Sequence, residues 1–83
     1  MTPREAIQRV RERWAVMSEM ERLHWLGIAL AYRRAAAISV ITGRPLPPEW
    51  DGYRELHDEI VAHACTLTPQ DGEAWIYWRE HFC

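Results

Sequence analysis

The segment between Ser18 and Gly43 constrains the fold more than any other. Ser18-Glu19-Met20-Glu21 reads as a capping box, in which the serine hydroxyl and a glutamate carboxylate satisfy backbone donors left free at a helix start. Gly43 supplies the stop. The helix between them is predicted over residues 19–42, and about 24 residues at ~1.5 Å each span ~36 Å. A compact domain of this size is only ~30 Å across, so one end is expected to project or bend. Apolar residues lie on nearly every side between Trp25 and Ile41, the pattern of a helix surrounded by neighbours. Arg33 and Arg34 sit in the middle of that stretch, where each would cost roughly 2.5–3.5 kcal/mol in a bilayer. A buried central helix therefore explains it better than a membrane span.

Three further helices follow from their end signals. Thr2-Pro3-Arg4-Glu5 is a capping box with proline at the first helical position. It opens a helix over about 3–16 whose inward face carries Ala6, Ile7, Val10, Trp14 and Met17. A third helix is predicted over about 48–66, with Trp50, Tyr53, Leu56 and Ile60 on one side and Asp51, Glu55, Asp58 and Glu59 on the other. Thr68-Pro69-Gln70-Asp71 repeats the cap logic and starts a fourth, over about 69–82, in which Trp75, Trp78 and Phe82 share a face. No stretch shows the alternation of a strand. The expectation is an all-α, compact four-helix single domain over residues 1–83 with a long central helix 2.

An 83-residue chain of this kind has a thin core, because a domain of that size buries only about 60–65% of its unfolded surface. The amino terminus carries charge where a signal peptide needs an apolar run, which points to the cytosol of a bacterial or phage-infected cell. All ten basic residues are Arg. The net charge of −2 conceals an asymmetry. Residues 1–44 hold eight Arg against four Glu, a net +4, and residues 45–83 hold two Arg against eight acids, a net −6.

Nothing in the sequence calls for a cofactor, metal or catalytic role. Cys65 and Cys83 lack disulfide-rich spacing and read as free thiols in a reducing compartment. His63-Ala64-Cys65 and His81-Phe82-Cys83 each set two metal-binding side chains two residues apart, which in a helix turns them about 200° from each other. Glu21-Arg22-Leu23-His24 matches one half-motif of a di-iron bundle without its counterparts. Ser18 is accounted for as a cap, Ser39 lies inside an apolar helix, and no nucleophile elbow or phosphate-cradling loop is present.

The residues left for function are surface anchors. Five Trp are more than so small a core usually covers, so Trp50, Trp75, Tyr77 and Trp78 are candidate contacts for a partner. Asp51, Glu55, Asp58 and Glu59 form a one-signed face with only Arg54 nearby, suited to a larger, basic-surfaced protein. Two alternatives use other residues. Arg33, Arg34 and Arg44, with the Arg-rich first helix, would suit phosphates and a nucleic-acid-binding regulator. Gly27, Ala31 and Ala35 form a small-residue row on which a second copy would settle as a structural homodimer. The expected function is a non-enzymatic protein-binding module, a stoichiometric inhibitor or adaptor. In size, acidity and absence of motifs the chain is similar in character to phage-encoded inhibitors of host defence, anti-CRISPR proteins among them, although no motif carries the similarity.

Overall fold

The computed structural model describes residues 1–67 together with Gly72, Glu80 and Phe82. Helix α1 spans Pro3–Arg13, and its cap forms as the sequence requires: the Glu5 backbone N–H donates to Thr2 Oγ1 at 3.2 Å. The chain then tightens into a 3-10 turn over Trp14–Val16, so the α-helix ends short of residue 16. Ser18 restarts it by accepting from the Glu21 N–H at 3.2 Å, and α2 runs over Glu19–Thr42 to the left-handed Gly43.

The predicted third helix divides in two. Pro48–Trp50 form a 3-10 turn, Gly52 adopts a φ of +80°, and only then does α3 begin, over Tyr53–Ala64. A positive φ cannot be threaded through an α-helix, so the two pieces take separate axes. Three α-helices stand among the described residues where four were expected. The fourth, over 69–82, together with its Thr68-Pro69-Gln70-Asp71 start, lies outside them apart from Gly72, Glu80 and Phe82.

The core is apolar throughout: no polar or charged described residue is buried. Ala6, Val10 and Trp14 meet Leu26 and Ala29 of α2 and Leu56, Ile60 and Ala64 of α3, with Phe82 closing the cluster. Among the described elements α3 packs against both α1 and α2. It therefore takes the central place that apolar content had assigned to α2. Only Trp25, Leu26 and Ala29 of α2 are buried, so the expectation that α2 is enclosed on all sides does not hold. Its apolar content comes largely from alanines and from Ile38, Val40 and Ile41, and the last two are 83% and 82% exposed at the projecting end. No described helix is long and apolar enough to cross a membrane.

Candidate functional site

The four carboxylates predicted to share one face part into two groups. Asp51 closes the 3-10 turn and Glu55 stands in the first turn of α3. Both are exposed. Asp58 is exposed as well but accepts from His57 Nδ1 at 3.0 Å. Glu59 departs furthest from the expectation: one turn along α3 from Glu55, it is half-buried and held by Arg11 of α1, whose Nε and Nη2 donate at 3.2 and 3.1 Å. His63 Nε2 approaches the same carboxylate at 3.0 Å. The hydrogen bond from Arg11 holds the Glu59 carboxyl below its ordinary value, with partial burial opposing and His63 adding to the effect. Glu59 is thus a bridge between α1 and α3 and presents no free charge to a partner.

Trp50 is half-buried at the mouth of this region. Tyr53 meets it edge-on at 5.2 Å and Tyr32 at 6.2 Å between ring centroids. These two tyrosines, one from α3 and one from α2, fix the indole that precedes the exposed Asp51. Gly52 is what brings the turn so close: a Cβ there would stand 3.2 Å from Cβ of Pro3 at the start of α1. The other predicted aromatic contacts, Trp75, Tyr77 and Trp78, lie outside the described residues.

Two open cavities adjoin this corner. One of about 520 Å³ lies between Met1, Ala6, Met20, Trp25 and Leu56, with Arg9 and Glu21 at its edge. The other, about 560 Å³, lies over Gly27 and Ala31 and is walled by Trp50 and Tyr53. His24 and Ile28 belong to both, so the two form one trough along α2.

The residues proposed for phosphate contact do not gather on one surface, and those proposed for self-contact lie along α2. Arg33 turns inward, donating from Nε to His57 Nε2 at 2.8 Å and lying with its guanidinium 4.4 Å from the centre of the Phe82 ring. That correction removes it from the phosphate-binding set. Arg34 and Arg44 are exposed, as is Ala31, and Ala35 is half-buried. Arg4, Arg9 and Arg13 are exposed on α1.

Two features escaped the sequence. Arg22 donates to the carbonyls of Trp14 and Ala15 at 3.1 and 3.2 Å, and so caps the end of the 3-10 turn while its guanidinium lies over the Trp14 ring. Spacing gave no sign of this, because the acceptors are backbone groups. Cys65 is disulfide-bonded, which overturns the reading of free thiols. Cys83 is the only other cysteine of the chain and lies outside the described residues. Spacing cannot report which thiols approach in space, and a persistent disulfide belongs to an oxidising compartment.

Among the described residues no group of three or more His, Cys, Asp or Glu side chains is placed to hold a metal ion. No family model matches the chain, and neither a curated protein nor a solved structure matches it.

Proposed function

We propose that the protein is a non-enzymatic binding module that occupies a surface of a larger, basic-surfaced protein, acting as a stoichiometric inhibitor or adaptor. The reading rests on one arrangement. Asp51 and Glu55 are exposed and make no ion pair with any described residue, and Asp51 directly follows an indole, Trp50, that the fold has already immobilised between two tyrosines. An ordered aromatic anchor beside uncompensated charge loses little side-chain freedom on binding, and it combines the contact types that dominate interface energetics. Glu59, spent on Arg11, no longer belongs to that surface.

Charge reversal tests the reading. Tagged wild-type protein is expected to retain a partner from a bacterial host lysate in a fixed ratio, and Asp51→Arg/Glu55→Arg is expected to lose it with helical circular dichroism unchanged. Equal retention by both proteins, or no partner at a fixed ratio, refutes it. A nucleic-acid reading draws on the exposed Arg4, Arg9 and Arg13 of α1. It requires binding to duplex DNA that weakens steeply with salt, a dependence that Asp51→Arg/Glu55→Arg would strengthen rather than abolish.

A further inference from the structure

A stripe of exposed residues runs the full length of α2 and takes no part in the core formed by the described residues. Met20, His24, Gly27 and Ala31 begin it, and Arg34, Ile38 and Ile41 continue it. All seven are exposed, and they recur at alternating steps of four and three, the spacing of a seam between two long helices. Met20, Ile38 and Ile41 are 76%, 52% and 82% exposed, which leaves large apolar side chains at both ends of the stripe. Its middle is small for no internal reason: a Cβ added at Gly27 would meet nothing within 4 Å. Glycine inside a helix costs about 1 kcal/mol relative to alanine, and the fold of one chain does not require it here.

We infer that this stripe is the seam of an antiparallel homodimer, with a second copy of the chain as its occupant and the two-fold axis at Ala31. The occupant is chosen by how the stripe complements itself. Reversed upon its own image, it sets Met20 against the partner's Ile41 and His24 against the partner's Ile38. Gly27, the smallest residue, falls opposite the partner's Arg34, the longest, and Ala31 meets its own copy at the crossing point. The apolar end of each helix enters the trough beside Met20, His24 and Gly27 on the other.

Charge agrees with the same register. Glu21, exposed at the amino end of α2 on the edge of the trough, comes beside the partner's Arg44 just past its carboxyl end, and each helix's amino end lies beside the other's carboxyl end, the favourable arrangement of two helix dipoles. A parallel pair would instead place Arg34 against Arg34 and leave a void at Gly27. A helix face ~36 Å long and about 10 Å wide covers on the order of 700 Å² over both partners, well under a standard interface of ~1,600 Å². The dimer is therefore weak and concentration-dependent.

Sedimentation equilibrium of the full chain from micromolar to millimolar concentration tests this. Wild type is expected to shift from monomer to dimer across that range. Ala31→Glu, which sets two carboxylates together at the axis, is expected to raise the dissociation constant at least tenfold with helical circular dichroism unchanged. Arg44→Glu should weaken the dimer, and Glu21→Arg with Arg44→Glu in one chain should restore it. Val40→Glu, exposed on another side of α2, should leave it intact. A wild type that stays monomeric throughout, an unaffected Ala31→Glu, or a Val40→Glu as damaging as Ala31→Glu would each overturn the inference.

Discussion

Arg11 and Glu59 lie 48 positions apart in sequence, yet the guanidinium of one grips the carboxylate of the other with two parallel hydrogen bonds of 3.2 and 3.1 Å. This pair joins α1 to α3 at the edge of the core, where Glu59 retains 20% of its side-chain exposure.

Acid should act through that pair. The Glu59 carboxyl is held below its ordinary value in the folded chain, first by the hydrogen bond from Arg11. Its contribution is complete above the unfolded carboxyl range, near 4.5, and is lost as pH falls through the lower folded value. Wild type should therefore lose stability on acidification in that window, and Arg11→Ala should lose less over the same interval. Urea unfolding at neutral pH and at about pH 3 measures both slopes. An Arg11→Ala protein with the wild-type pH dependence would refute the assignment.

How far the sequence announces this arrangement depends on whether the signal is local. Thr2 and Ser18 are legible because each cap bonds a residue three positions on. The break at Gly52 was available in the Asp51-Gly52 dipeptide, a turn signal overridden by the apolar period on either side of it. The loss of Glu59 from the acidic face was not available, because a helix face shows which residues share a side and not which distant arginine reaches it. Arg33 fails in the same way: a surface cation by composition, it is turned inward by His57 and Phe82. Helix α2 misleads for another reason, since alanine and isoleucine raise apolar content whether or not a neighbour covers them.

Trp14 separates volume from polarity. Its ring is 4% exposed, flanked by His63 and Arg22, yet Nε1 is buried and finds no acceptor among the described residues. Trp14→Ala should cost about 3–5 kcal/mol through the cavity it leaves. Trp14→Phe removes no hydrogen bond and should cost less than half as much, roughly 1–2 kcal/mol. Denaturant midpoints of the two variants compare them, and equal losses would show that the indole N–H matters.

The proton on His57 is fixed by its neighbours. Arg33 has only donors, so Nε2, which it approaches at 2.8 Å, must present its lone pair. The proton then resides on Nδ1 and is donated to Asp58 at 3.0 Å. Nitrogen-15 shifts of the neutral ring should report an unprotonated Nε2. A proton found there would contradict the arrangement.

The Cys65 disulfide makes the protein sensitive to reductant. Unreduced protein should be two hydrogens lighter than reduced protein by intact mass and should resist alkylation. Reduction should lower the thermal midpoint, since a bridge removes disorder from the unfolded chain, typically worth about 2–4 kcal/mol. An unchanged midpoint, or full alkylation without reductant, would exclude a stabilising bridge.

Two glycines should respond to alanine with opposite signs, because one is required by the fold and the other is not. Gly52 holds a φ of +80° with Pro3 at 3.2 Å from where a Cβ would stand, so Gly52→Ala adds a left-handed residue and a close contact together. The first alone costs roughly 1–2 kcal/mol, and the second acts on the junction of α1 with the turn beside Trp50. Gly27 lies in mid-helix with open space around it, so Gly27→Ala should raise stability by up to about 1 kcal/mol through backbone entropy and helix propensity. Thermal unfolding at a concentration low enough to keep the chain monomeric decides both. A destabilised Gly27→Ala would mean that a neighbour already occupies the space over α2.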